Sequence, residues 1–285
     1  MTALLKRNLW IFFRDKSSVF FSLLSVFIII GLYALFLGDV WTQGFSELGN
    51  ARPLMDHWIM SGLLAVTSIT TTMGAFGIMV EDRSKLLTKD FYSSPLKRNV
   101  LAGSYIMTAF VVGVIMSVVA LVVMEIYLVA MGNALLSFVT FLKVFGLILL
   151  STLASTSMVL LLVSFLKSLN AFSTASAILG TMIGFVTGIY MPIDILPGAV
   201  QHIVRAFPIS HAATLFRQVI MEAPLQQVFA GAPAGTSASF EKMMGVTLYV
   251  GDTIITPLVS ILILIVTAVL FYCLAAFNLS RKRKS

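Results

Sequence analysis

Six stretches of this chain run for more than 20 residues without a single Asp, Glu, Lys or Arg: 17–38, 58–80, 99–124, 144–166, 168–193 and 253–280. A helix needs about 20 apolar residues to cross a bilayer, and charge within the hydrocarbon is costly, so each stretch reads as a transmembrane helix. Only 11% of the 285 residues are charged and 59% are hydrophobic, against roughly 25% charged in an ordinary soluble domain. In water there would be too little polar residue to cover that much apolar surface, so lipid must solvate much of the chain. The fold class expected is an all-α membrane protein, organised as one domain over residues 1–285.

Two shorter uncharged windows are set aside. Residues 126–142 extend the third helix and turn at Gly132-Asn133. Residues 223–240 carry Pro224, Gly231, Pro233 and Gly235, which reads as loop. Orientation follows the bias of Lys and Arg between the two sides. Fourteen fall on one side: Lys6, Arg7, Arg14 and Lys16, then Arg83, Lys85, Lys89, Lys97 and Arg98, then Lys167, then residues 281–284. Five fall on the other: Arg52, Lys143, Arg205, Arg217 and Lys242. Both termini are therefore expected in the cytoplasm, and the net charge of +7 is a topology signal rather than a nucleic-acid footprint. The first span is too long for a cleaved signal peptide, lacks a small-residue cleavage site and is followed by five more. Ahead of it, Leu5, Leu9, Phe12 and Phe13 group on one helical face and Arg7 and Arg14 on the opposite one. Residues 1–16 thus read as a helix lying in the membrane interface.

Sites for chemistry are scarce. No G-x-x-x-x-G-K-[ST] phosphate loop occurs, so ATP binding by this chain alone is not expected. His57, His202 and His211 fall near the outer boundary without Cys or carboxylate partners at metal-ligand spacing. Glu125 and Lys143 come to one level across a helical hairpin and are expected to pair. The lone Cys273 permits no intrachain disulfide. Catalytic, cofactor and metal residues are accordingly none.

Packing signals are clearer. Ser176, Gly180, Gly184 and Gly188 recur every four residues in the fifth span and let another helix approach closely. Close packing within the bundle and a subunit interface or cavity wall are both open readings. Thr67, Ser68, Thr70, Thr71 and Thr72 crowd the second span, and Ser151, Thr152, Ser155, Thr156 and Ser157 the fourth. Such hydroxyls can bond their own helix backbone; Thr67, Thr70 and Thr71 are also candidates to face a substrate path.

Two connections remain. Residues 81–101, EDRSKLLTKDFYSSPLKRNVL, are short, charged and broken by Pro95; they form either a plain turn or an element docked on a soluble motor. Residues 189–252 are external. Their prolines Pro192, Pro197 and Pro208 divide apolar pieces too brief to span, and such backbone enters a membrane only when buried in protein or lining a cavity. Short re-entrant helices fit.

In these two connections the chain resembles the ABC type-2 transporter permeases, the membrane subunits of bacterial exporters. Residues 92–98, YSSPLKR, with Gly103 beyond, look like the family's Ser/Thr-Pro and basic stretch followed by glycine. Gly188, Met191-Pro192, Leu196-Pro197 and Phe207-Pro208 look like its Gly-x-x-x-Pro, Leu-Pro and Pro pattern, and Arg217 falls where the family often has an arginine. Where the family often has a Gly-Thr pair after the second span, Ser84-Lys85-Leu86 stands here. The resemblance covers nearly the whole chain and implies a type V exporter-like arrangement in the bacterial plasma membrane. Two permeases, identical or related, would pair around a path within membrane lipid. Arg83, Lys85, Lys89, Phe91, Tyr92, Pro95 and Leu96 would couple to a separate ATP-binding subunit, which holds the ATP and Mg. Pro192, Pro197, Pro208 and Arg217 would belong to an outer gate. A membrane enzyme acting on lipids, an ion-coupled transporter and a non-transporting membrane or immunity protein are the competing readings; the first lacks a cluster of reactive side chains and the second lacks buried charges.

Overall fold

The computed structural model describes residues 1–43, 45, 51–87, 98–166, 168–233, 235–251 and 253–281. Helix α1 (Thr2–Arg14) leads into α2 (Lys16–Leu32), a π-helical stretch (Tyr33–Leu37) and α3 (Gly38–Gln43). Then come the long helices α4 (Arg52–Ser84), α5 (Arg98–Ala130) and α6 (Phe138–Phe165), followed by α7 (Leu169–Val186). Four short helices follow: α8 (Gly198–Ala206), α9 (Pro208–Ile220), α10 (Glu222–Val228) and α11 (Thr236–Met243). A small antiparallel hairpin pairs Tyr249 with Ile254 and Val250 with Thr253, and α12 (Pro257–Arg281) closes the described chain.

Among the described residues, five helices are long and apolar enough to cross a membrane: those within α4, α5, α6, α7 and α12. A sixth crossing is available if Lys16–Leu24 and Val26–Leu35, bent by 41° to each other, form one span. The chain is thus an all-α multi-pass membrane protein apart from its one hairpin. Local sequence explains the breaks. Asp15 caps α2 by accepting the Ser17 N–H at 3.0 Å. Ser137 and Ser168 cap α6 and α7 in the same way, through the N–H groups of Thr140 and Ala171. Such a cap satisfies a donor that would otherwise be orphaned at the helix start. The α5–α6 turn follows Ala130, where Gly132 takes φ +84° and the Asn133 N–H bonds the Leu128 carbonyl at 2.9 Å, as a glycine C-cap allows.

Two expectations change. The fifth span stops at Val186 rather than running to 193, because Gly188 at φ +72° turns the chain out of the helix. Residues 223–240 are not simple loop: α10 and α11 occupy most of them, joined across Gly231 and Gly235, both at positive φ.

Helix α4 is the axis of the bundle. In its most apolar stretch 83% of residues are buried, against 22% in α7 and 28% in α12. It packs on α2, α5, α6, α7 and α9. Helix α9 is wedged between α4, α6 and α12, and every residue from Ile209 to Arg217 is buried. A short helix of this kind keeps its end groups out of lipid by being enclosed in protein.

The α4–α5–α6 seam is tight. Ser68 Oγ meets Ser151 Oγ at 2.8 Å and Ser155 Oγ at 3.2 Å. Opposite, a Cβ on Gly113 of α5 would stand 2.6 Å from a Thr152 methyl and 2.7 Å from a Thr72 methyl. Gly113→Val should therefore overpack the seam and lower stability by about 1–3 kcal/mol. A thermal melt of the detergent-solubilised protein, showing an earlier transition than wild type, checks this.

Candidate functional site

The polar side chains gather in three places along α4. At its C-terminal end, on the side of the bundle rich in basic residues, Asp82 meets two other helices. Arg7 of α1 donates to it twice, Nη1 to Oδ2 at 2.7 Å and Nη2 to Oδ1 at 3.0 Å. Tyr105 of α5 donates its hydroxyl to Oδ2 at 2.6 Å. The Asp82 side chain is 6% exposed and that of Arg7 30%. The hydrogen bond to Asp82 holds the Arg7 pKa above its ordinary value. A charged arginine–carboxylate fork is stronger and better oriented than a neutral hydrogen bond. This arrangement differs from the helical wheel drawn for α1. Arg7 turns into the protein, Phe12 is buried, and Phe13 joins Trp10 and Ile11 on an exposed face.

Of the residues assigned to coupling, Arg83 lies in the last turn of α4. Lys85 follows it and pairs with Glu81. Leu86 then takes a left-handed φ of +59°, uncommon for a residue with a side chain, and closes the helix. Lys89, Phe91, Tyr92, Pro95 and Leu96 lie outside the described residues.

Midway along α4 the hydroxyl groups are turned inward. Thr67 and Thr71 are fully buried and bond the carbonyls of Leu63 and Thr67 in their own helix, at 2.7 and 2.6 Å. In this single chain they belong to the packed seam. Thr70 is half-buried. Between Leu54 and Val80 only Thr70, Gly74 and Gly77 escape full burial, and their spacing puts them on one face. The Phe12 ring stands over Gly74, 4.0 Å from where a Cβ would be, and the Phe172 ring of α7 stands 3.4 Å from the equivalent point at Gly77.

The small-residue stripe of α7 divides. Gly184 is filled by the ring of the chain's own Tyr190, and Gly188 ends the helix instead of continuing the stripe. Gly180 has no atom within 4 Å of its Cβ position.

At the N-terminal end of α4 a cation is enclosed. Arg217 of α9 is 0% exposed. Its guanidinium donates to the carbonyls of Thr187 at 2.8 Å and Gly245 at 3.4 Å, and lies 4.9 Å from the Trp58 ring centre. Room for it comes from glycine: Cβ atoms on Gly62, Gly188 and Gly245 would stand 3.4, 3.5 and 3.2 Å from its nitrogens. Trp58 Nε1 donates to the Met244 carbonyl at 2.8 Å. The prolines each open an element: Pro192 the 3-10 turn Ile193–Ile195, Pro197 α8, and Pro208 α9. Pro192 is buried, Pro208 half-buried and Pro197 exposed. His57 and His211 are buried, and His211 bonds the Arg205 carbonyl and Ser260.

Two outer polar contacts were not anticipated. Asp56, just outside the uncharged window, is buried and receives Arg52 at 3.1 Å, Tyr127 at 3.3 Å and Asn133 at 3.1 Å. The expected Glu125–Lys143 pair is replaced. Glu125 accepts the Leu136 N–H at 3.2 Å, because the hairpin loop folds back over it, and Lys143 reaches Glu222 of α10 at 3.6 Å.

A family model described as ABC-2 family transporter protein matches residues 40–277. The chain belongs to the ABC-2 transporter family. Among curated proteins it is similar to Nodulation protein J of Rhizobium meliloti (strain 1021), with 29% identity over 79 residues, 28% of this chain and 30% of that protein. The match thus spans under a third of that relative's length. ABC-2 family permeases are membrane components of ABC transporters and work with a separate ATP-binding subunit. The matched range takes in α4 to α7 and the whole Arg217 assembly, and leaves α1 outside it.

Arg217→Met keeps most of the volume but leaves two buried carbonyls without their charged donor. A hydrogen bond to a charged group contributes about 1.5–3 kcal/mol, so the variant should melt well below wild type in detergent. Lys at the same position, unable to bridge both carbonyls in one plane, should recover only part of the loss.

Proposed function

We propose that this chain is the membrane-spanning subunit of an ATP-driven exporter in a bacterial plasma membrane. It would move an amphipathic, lipid-like, drug or peptide substrate outward, with both termini in the cytoplasm. The observation that carries the reading is the continuity of α4. One unbroken helix bears Asp82 at the end where the cytoplasmic segment begins and Trp58, against the Arg217 assembly, at the other. At 1.5 Å per residue they are about 36 Å apart, enough to connect the two faces of a bilayer.

The mechanism follows from that lever. The ATP-binding subunit, with its ATP and Mg, docks on residues 81–101 through Arg83, Lys85, Lys89, Phe91, Tyr92, Pro95 and Leu96. Closing of the motor displaces the inner end of α4. Because the helix is continuous and packed along most of its length, the displacement would reach Trp58 and the α9 wedge, and the outer gate formed by Pro192, Pro197, Pro208 and Arg217 would loosen. Nucleotide must favour the displaced state for this to happen, since equal affinity for both states would move nothing. A second permease, identical or related, would cover the thinly packed α7 and the open Gly180 site. The path would then lie between the copies, beside Thr70.

Two measurements test this. The purified chain should hydrolyse no ATP alone and should co-purify with an ATP-binding subunit whose hydrolysis it modulates; hydrolysis by the chain alone would overturn the proposal. Glutamate at Phe91, Tyr92 or Leu96 should leave membrane insertion intact and reduce co-purification at least about tenfold, the equivalent of 1.4 kcal/mol of docking energy.

A further inference from the structure

The Asp82 cluster joins three helices through one carboxylate. Both of its oxygens are occupied by Arg7, and Oδ2 also accepts Tyr105. A second contact lies further along α1, where Phe12, 2% exposed, sits over Gly74 of α4. An ion pair at 82 and a ring at 74 hold α1 at two points on the same helix. Two points fix its direction as well as its position. The fork adds to this, because a bidentate arginine sets orientation where a lysine would act as a point charge. Partial burial also keeps the pair from being screened by salt as an exposed pair is.

The other side of α1 is built for a different medium. Trp10 is 63% exposed, and Ile11 and Phe13 are each 37% exposed. With Lys6 and Arg14 beside them, these residues suit the boundary between lipid tails and headgroups. Helix α1 therefore packs on α5 and α4 with one face, where the fork ties it to Asp82, and turns the other toward the interface.

Resting on the permease reading above, we infer that Arg7, Asp82 and Tyr105 are positioning residues for transport: they form the joint that makes α1 travel with the inner end of α4. The cytoplasmic segment begins within one turn of Asp82. When a docked motor moves it, the fork carries α1 along. Without the fork, α1 stays with α5, on which it also packs, while α4 moves.

The test uses the complex of this chain with its co-purified ATP-binding subunit in lipid nanodiscs. Cys273→Ser provides a background for spin labels at Trp10→Cys on α1 and Val269→Cys on α12, which packs chiefly on α6 and α9. The distance between labels is read by pulsed electron resonance without nucleotide and after trapping with ATP and vanadate. Wild type should shift by at least about 2 Å, the scale of helix movements in switching proteins. In Asp82→Asn the shift should vanish while the ATP-binding subunit still co-purifies. The exchanged pair, Arg7→Asp with Asp82→Arg, should restore it, which a role in stability alone would not predict. If Asp82→Asn fails to fold, Tyr105→Phe removes a single hydroxyl and should reduce the shift. An unchanged distance in wild type, or a full shift in both Asp82→Asn and Tyr105→Phe, would overturn the inference. Failure to isolate any complex with an ATP-binding subunit would instead remove the permease reading, and this inference with it.

Discussion

A peptide backbone can enter hydrocarbon only when its own N–H and C=O groups bond each other, and that constraint organises this chain. Helices satisfy it residue by residue, but their ends do not. The structure deals with the ends in two ways. Where a helix can finish in water or at the interface, a serine or aspartate caps it, as Ser137, Ser168 and Asp15 do. Where a short helix sits against the bundle, as α9 does, the spans enclose it. The enclosure then has to accommodate side chains that open lipid would not tolerate.

Arg217 is the clearest case. A buried cation is costly unless its donors are used; here two carbonyls and the face of an indole receive the guanidinium, and Nε alone of its nitrogens is left without an acceptor among the described residues. Three glycines from separate parts of the chain make the space. At the opposite end, Asp82 is the reverse: a buried carboxylate saturated by an arginine and a tyrosine from two other helices. The same α4 runs between them and is buried nearly throughout. One packed rod joins the two charged assemblies mechanically, since packed interiors pass displacement on rather than absorbing it.

Much of this was readable before any coordinates. The uncharged windows identify α4, α5, α6, α7 and α12 because charge is the one thing a span cannot freely carry. The turn at Gly132-Asn133 was readable because only glycine adopts that φ easily. The rest depended on partners distant in sequence. Asp82 and Arg7 are 75 residues apart, and each alone looks like an ordinary flanking charge. The end of α7 is not legible in the sequence, because residues 187–193 are as apolar as the helix before them; the positive φ of Gly188 marks the break. Helices α10 and α11 were hidden by prolines and glycines that punctuate short helices as readily as loops. The Glu125–Lys143 pairing failed because equal depth does not decide which of several neighbours a side chain will reach.

The account rests on which face of the membrane holds the inner end of α4. Single cysteines in the Cys273→Ser background, at Ser93 in the segment after α4 and at Ala232 between α10 and α11, can be challenged with a membrane-impermeant maleimide in intact cells. Cysteine 232 should be labelled at once, and cysteine 93 only after the membrane is permeabilised. Labelling of cysteine 93 in intact cells, with cysteine 232 protected, would put the Asp82 joint on the wrong side for any cytoplasmic motor and contradict the account.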